Sequence, residues 1–235
     1  MEADRFVLGA VLLLLTAGLA AAYAAWRYWW FFRNPPRTVC RGDYYLCPAD
    51  GRVVYVKRAR PEEPVIVCKQ GRSATINDIV RDELRLPKII IGVFMSPLDV
   101  HYNRAPLDGI LVSTKQYPAR HVNRFMRSMH WRLMLRWPPF HANSPHIVEN
   151  NRAVTRFCGT FRGRAVSCYV VQIGGGSVHG IDVYPQPGAA VAQGDIFGMI
   201  RVGSQVDLIV PDMPGLEVLV APGEQVVAGE TILIR

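Results

Sequence analysis

Pro48-Ala49-Asp50-Gly51-Arg52-Val53 returns further along the chain as Pro106-Leu107-Asp108-Gly109-Ile110-Leu111. Asp-Gly is turn chemistry, and in both copies it opens onto an aliphatic, strand-like run. A second pair behaves alike: Pro187-Gly188 followed by Val191, Gly194 and Asp195 has the spacing of Pro222-Gly223 followed by Val226, Gly229 and Glu230. Two copies of two turn-plus-strand units predict a pseudo-symmetric domain of short strands. Candidate strands lie at 53–57, 65–69, 89–95, 110–114, 153–158, 165–173, 181–184, 196–202, 205–210, 217–220 and 231–234. Helical patterning is confined to 76–85 and 122–136.

The fold class expected is therefore mainly β with a few helices (α+β). The paired segments resemble the barrel-sandwich of biotinyl and lipoyl carriers. The Met-Lys-Met or Asp-Lys-Ala hairpin that would carry such a cofactor is absent from the sequence, so the likeness extends to shape and not to carrier function.

Upstream of this body, residues 6–26 (FVLGAVLLLLTAGLAAAYAAW) carry no charge. Roughly twenty such residues span a hydrocarbon core as a helix. Trp26, Tyr28, Trp29, Trp30, Phe31 and Phe32 follow at once, an aromatic belt suited to the headgroup layer. The competing reading is a cleaved signal peptide, with Ala20-Ala21-Ala22 as the small-residue site. The leading MEADR lacks the net positive charge of a signal n-region. A retained anchor over 1–33, followed by a globular domain over 34–235, is the expectation. Arg27, Arg33, Arg37 and Arg41 follow the span and only Arg5 precedes it, which places the body on the cytoplasmic side of the cell membrane.

The chain has 235 residues, 50% of them hydrophobic and 20% charged, which excludes a disordered, collagenous or coiled-coil protein. Lys and Arg number 27 against 19 Asp and Glu, a formal net charge of +8 that suits a polyanionic partner, nucleic acid or an anionic membrane. The stretch 122–136 (VNRFMRSMHWRLMLR) mixes arginines with aromatic and aliphatic residues. It reads either as an interfacial segment or as a surface helix packed on the sheet. No nucleic-acid signature accompanies it, so no nucleic-acid partner is expected. Five cysteines with no C-x-x-C pair read as reduced, buried thiols. His121, His130, His141 and His146 lack ligand spacing, and no metal is expected.

Five boxes in order carry a family resemblance. Phe31-Phe-Arg-Asn-Pro-Pro-Arg37, Pro48-Ala-Asp50-Gly51, the long box Phe94-Met-Ser-Pro-Leu-Asp99-Val-His101-Tyr-Asn103-Arg104-Ala-Pro-Leu-Asp108-Gly109, Glu149-Asn-Asn-Arg152, and Phe197-Gly-Met-Ile-Arg-Val-Gly203-Ser204-Gln-Val-Asp207 resemble the phosphatidylserine decarboxylase family, in its short prokaryotic-type branch.

The resemblance implies a self-made cofactor: cleavage between Gly203 and Ser204, with Ser204 becoming a pyruvoyl group at the head of 204–235, while 1–203 forms the larger chain. It implies a pyruvoyl-dependent carboxy-lyase that converts phosphatidylserine to phosphatidylethanolamine through a Schiff base, with a membrane phospholipid as partner and the two cleavage products staying together. Self-association into a homo-oligomer is left open, as are two rivals: an uncleaved lipid-binding or scaffold homologue, and a decarboxylase of a related serine lipid. By the same resemblance His101 is the base that activates Ser204, and Asp50 fixes the His101 tautomer. By the residues alone, Asp50 reads as a turn aspartate and His101 as a core or surface histidine. Arg104 stands where longer members have a second histidine, and it is a candidate for the substrate carboxylate or phosphate. Gln205 replaces the usual Arg or Thr. The glycine-rich Gly174–His179 stretch is unusual for the branch, with His179 a candidate acid or base and a simple turn the plainer reading.

Overall fold

The computed structural model describes residues 2–67, 73–176, 178, 180–201 and 203–235. The chain divides into two compact units, Met1–Pro35 and Pro36–Arg235. In the first, helix α1 (Glu2–Ala25) runs into one wider π turn at Trp26–Trp30. The helix Asp4–Trp30 is long and apolar enough to cross a membrane. Within it, Thr16 Oγ1 donates to the Leu12 and Leu13 carbonyls at 3.0 and 2.9 Å, so that hydroxyl needs no water.

The second unit is mainly β, with a sheet curled into a half-barrel. Its strands are β1 (Tyr45–Leu46), β2 (Gly51–Ala59), β3 (Pro64–Val67), β4 (Ser73–Thr75), β5 (Lys88–Met95), β6 (Tyr102–Arg104), β7 (Gly109–Tyr117), β8 (Arg152–Phe161), β9 (Arg164–Gly174), β10 (Ile181–Val183), β11 (Ala190–Val191), β12 (Ile196–Ile200), β13 (Ser204–Pro211), β14 (Gln225–Val226) and β15 (Ile232–Ile234). Among the described residues three short helices interrupt them: α2 (Ile76–Val80), α3 (Arg127–Met134) and α4 (His146–Glu149). The main sheet has eight antiparallel strands in the order β11-β7-β8-β9-β13-β5-β2-β14. A three-stranded sheet β10-β12-β6 and the pairs β1-β15 and β3-β4 complete it.

The repeats read from the sequence form the two outer ends of the main sheet. Val226 of β14 pairs with Gly51 of β2, and Val191 of β11 pairs with Gly109 of β7. The backbone bonds match as well: Gly223 N to Val53 O is echoed by Gly188 N to Leu111 O, and Gly229 N to Cys47 O by Gly194 N to Ala105 O. The glycines opening β2 and β7 are required by close approach. A methyl group built on Gly51 would overlap the Phe94 carbonyl, and one on Gly109 the Cys158 carbonyl. The two halves meet at β9 and β13, the central strands.

Both faces of the sheet are buried. Val53, Ile91, Val93, Phe157, Val206 and Leu208 belong to one core, and Val54, Ile90, Val154, Val171 and Ile209 to the other. That is why the unbroken apolar run of β5 is buried along its whole length. Each such side chain contributes about 1.5–3 kcal/mol by leaving water.

Several boundaries differ from the sequence reading. The helix expected at 76–85 stops at Val80, because Arg81 takes a left-handed C-cap conformation (φ +54°) after a Thr75–Asp78 capping box starts the helix. In 122–136 only Arg127–Met134 is helical, with Met129 and Leu133 buried. Residues 217–220 make one isolated bridge, Val218 to Ile234, in place of a strand. Of the cysteines, Cys47 and Cys168 are buried, Cys158 is half-buried, and Cys40 is exposed, against the expectation of buried thiols. Burial pushes the Cys47 thiol up to about 12, so it stays protonated and inert. Cys68 lies outside the described residues.

Candidate active site

Ser204 is the first residue of β13 and is held from both sides, paired with Met95 of β5 and Gly174 of β9. It is completely buried, and its Oγ donates to the Met95 Sδ at 3.3 Å. A thioether is a weak acceptor, so among the described residues the hydroxyl has no strong partner to oppose its turning. Gly203, just before it, has φ +54°, a left-handed conformation that glycine adopts without steric cost. The Gly203 carbonyl oxygen lies against the backbone of Gly175, where a side-chain carbon would overlap it. The Gly203–Ser204 peptide thus joins a left-handed turn to a fixed central strand, with bare backbone beside its carbonyl.

The remaining expected site residues are tied to the fold in different ways. His101 is fully buried, and its main-chain oxygen accepts from Ile200 N at 3.3 Å, which ties it to the strand leading into the junction. His101 Nδ1 lies 2.8 Å from the Asp99 carbonyl. A carbonyl only accepts, so in the neutral ring Nδ1 carries the proton and Nε2 the lone pair. The Asp99 main chain therefore holds Nδ1, whereas the expectation gave the tautomer to Asp50. Both Asp50 oxygens bond elsewhere: Oδ2 pairs with Arg37 Nη2 at 2.7 Å, and Oδ1 accepts from Ala228 N at 2.8 Å. Arg104 is half-buried and donates to the Gly194 carbonyl at 2.8 Å, while its stem covers Gly229. Burial, then the charge of Arg37, lowers the Arg104 pKa, with Asp50, Asp195 and Glu230 opposing. Arg104 thus joins the equivalent glycine turns of the two halves. His179 lies outside the described residues.

Asn103 and Gln172 link these parts and escaped the sequence reading. Asn103 Nδ2 points to the Pro48 carbonyl at 3.4 Å and to Met95 Sδ at 3.8 Å, and Gln172 Nε2 donates to Asn103 Oδ1 at 2.8 Å. One buried amide therefore spans the Asp50 turn and the residue that touches Ser204. Its signal was its place between His101 and Arg104 in the long box. Asn150 acts similarly on the other side, donating to the Gly174 carbonyl at 2.6 Å and fixing the end of β9.

Gln205 faces away from Ser204, because successive strand residues alternate. It bridges a second buried polar group: its Oε1 lies 3.1 Å from His146 Nε2, and its amide donates to Tyr55 Oη at 2.9 Å and Asp207 Oδ1 at 2.7 Å. Burial drives the Asp207 carboxyl up to about 6, against the Gln205 and Tyr55 hydrogen bonds and the Arg152 charge. Burial also drives His146 down to about 4, so it is neutral near pH 7. The departure at Gln205 therefore concerns the support behind the strand and leaves the face with Ser204 untouched. Among the described residues no group of three His, Cys, Asp or Glu side chains is placed to hold a metal.

Comparison with known proteins gives the class of the chain. A Methanopyrus kandleri protein provisionally named archaetidylserine decarboxylase proenzyme is 39% identical over 208 residues, covering 87% of this chain and 80% of that protein. Proteins of Streptomyces avermitilis and Nitrosomonas eutropha named phosphatidylserine decarboxylase proenzyme are each 32% identical, over 88% and 86% of this chain and 73% and 75% of their own lengths. The class is thus a decarboxylase. The sequence profile described as phosphatidylserine decarboxylase matches residues 25–234, and the chain belongs to that family.

Proposed function

We propose that this chain is a precursor that cleaves itself between Gly203 and Ser204 and then, with a pyruvoyl group at position 204, decarboxylates phosphatidylserine to phosphatidylethanolamine at a membrane. The observation that carries the reading is the junction itself: a buried serine fixed at the head of a central strand, directly after a left-handed glycine whose carbonyl lies on bare backbone.

Ser204 Oγ attacks the Gly203 carbonyl carbon, the peptide C–N bond breaks, and the proton leaving Oγ ends on the freed nitrogen, giving an ester. Loss of the Ser204 α-proton then expels the Gly203 carboxylate and leaves dehydroalanine, whose imine water hydrolyses to a pyruvoyl group, still amide-bonded to Gln205, with release of ammonia. His101, whose Nδ1 is committed to Asp99, has its lone pair on Nε2 and is the proposed base. Asp50 is a positioning residue, anchoring the turn through Ala228 and Arg37, and Arg104 holds the neighbouring turns together. The residues present fit the group, because position 204 is buried beside a thioether and, among the described residues, has no strong hydrogen-bond partner. Once formed, a pyruvoyl ketone supplies an electron sink for a substrate whose carboxylate leaves as carbon dioxide.

The fragment 204–235 contributes β13, β14 and β15, which pair with β5 and β9, β2, and β1 of the larger fragment. Those ladders support the two products staying together after cleavage. The apolar helix Asp4–Trp30 supports retention at a membrane, with the arginines after it favouring a cytoplasmic body. The test is mass spectrometry of protein from its own cells, with Ser204→Ala as comparison. A fragment starting at 204 with a ketone-bearing end is expected from the wild type, and intact chain without decarboxylation from the variant. Intact, inactive wild-type chain would instead support a scaffold role.

A related serine lipid is the second reading, favoured by the 39% identity to the Methanopyrus kandleri protein. Diester and diether serine lipids assayed side by side separate the two.

A further inference from the structure

Among the described residues of Pro36–Arg235, eleven large apolar side chains are exposed, and six of them, Val122, Phe125, Trp131, Met134, Leu135 and Trp137, fall within one short stretch. Trp131 is 58% exposed and Trp137 62%, unusual for the largest apolar side chain on a soluble surface. The same stretch is purely cationic. No Asp or Glu occurs between Asp108 and Glu149, while Arg120, Arg124, Arg127, Arg132 and Arg136 all do. Two guanidinium groups lie over aromatic rings, Arg127 on Phe125 at 4.7 Å and Arg132 on Trp137 at 4.9 Å, so charge and apolar area form one surface.

Behind this surface is a cavity of about 330 Å³, walled by Phe94, Pro97, Phe125, His130 and Trp131 and reaching Gly203. Arg127 also lines it. Phe125 lies against the backbone of Gly176, one residue from the glycine that borders the Gly203 carbonyl. The cavity therefore joins the exposed aromatic surface to the peptide at the candidate site.

We propose that 122–137 is a bilayer contact separate from the N-terminal helix, and that the cavity it walls receives the glycerol end and first acyl carbons of a diacyl phospholipid, with Arg127 on its phosphodiester. The inference rests on the lipid-decarboxylase reading above and says where that lipid enters. The occupant follows from chemistry. A tryptophan-rich, arginine-only surface matches an anionic headgroup layer above hydrocarbon. The adjoining mostly apolar cavity with one arginine matches a phosphate joined to acyl chains, which a peptide or a free amino acid does not supply.

The test uses the full chain in vesicles of phosphatidylcholine and phosphatidylglycerol, with Ser204→Ala to prevent turnover. The probe is a phosphatidylserine bearing a photoactivatable diazirine near the glycerol end of one acyl chain. Label is expected in peptides covering 94–97 and 125–131. Trp131→Asp should reduce it at least ten-fold, whereas Leu86→Asp, which alters another exposed apolar residue, should leave it in place. In the wild-type background Trp131→Asp should raise the KM for vesicle-borne lipid at least ten-fold. Label confined to 1–35, or insensitive to Trp131→Asp, overturns the proposal. The two readings fail separately. Label at these peptides without ethanolamine-lipid product keeps the cavity and overturns the chemistry, while product with label elsewhere does the reverse.

Discussion

The turn at Asp50 and the turn at Asp108 are built from one template and end differently. Each aspartate accepts a backbone N–H from the paired glycine turn, Asp50 from Ala228 and Asp108 from Gln193, both at 2.8 Å. Each stands before a glycine pressed on a neighbouring strand's carbonyl. Asp108 is exposed and goes no further, whereas Asp50 is buried and carries an ion pair to Arg37. The difference teaches that the repeat provides the scaffold, and that the chemistry gathers where the two copies stop being equivalent.

The sharpest way to break that comparison is to neutralise both aspartates. Asp50→Asn keeps an acceptor for Ala228 but leaves Arg37 buried and unpaired, which should cost about 3 kcal/mol. Urea midpoints should show this, with self-cleavage at least ten-fold slower in a gel time course. Asp108→Asn should change stability by about 0.5 kcal/mol or less and leave cleavage unaltered. Equal losses in the two variants would mean that the halves do not differ in role.

Next in size is Gly175→Ala, which pushes on the Gly203 carbonyl. A displacement approaching 1 Å in a reacting group costs on the order of 100-fold. Cleavage should slow by about that factor in a time course, with the circular dichroism spectrum unchanged. Cleavage at the wild-type rate would remove the clearance argument.

The polar group behind β13 gives a pH-dependent pair. Asp207, raised by burial to about 6, holds its proton more tightly when folded, so its contribution to stability is complete below about 4 and falls as pH rises towards 6. His146, lowered by burial to about 4, does the opposite: its neutral form stabilises the fold above about 6.5, and that contribution is lost as pH falls towards 4. The two trends offset each other in the wild type. With His146→Gln, stability should rise on acidification from pH 6 to 4, and with Asp207→Asn it should fall, each by roughly 1–3 kcal/mol. Denaturation midpoints against pH measure both, and parallel profiles would contradict the assignment.

The smallest effect compares Gly188→Ala with Gly223→Ala. Both glycines have positive φ, +92° and +98°, so each alanine should cost about 1–2 kcal/mol. A methyl group on Gly223 also meets the Phe140 ring at 3.2 Å, while nothing lies near Gly188. Gly223→Ala should therefore melt slightly lower, and the reverse order would show that Phe140 gives way.

Much of this was legible beforehand for a physical reason. Long apolar runs such as 89–95 and turn dipeptides at 50–51 and 108–109 act locally, so their pattern survives in one dimension. Strands β6, β11 and β14 have three, two and two residues, too few to show a period. The glycine-rich stretch after β9 looked like a plain turn, since the carbonyl it accommodates belongs to Gly203, far along the chain.

By itself the sequence determined the apolar N-terminal helix, the repeated turns, the β-rich class and the Gly203-Ser204 step, because each depends on neighbouring residues or on a pattern repeated along the chain. Only the tertiary structure decided that the Asp99 carbonyl meets His101 Nδ1, that Gln205 faces away from Ser204, and that Asn103 links the Asp50 turn to Met95. Those outcomes depend on strand register, and a shift of one residue sends every side chain to the opposite face.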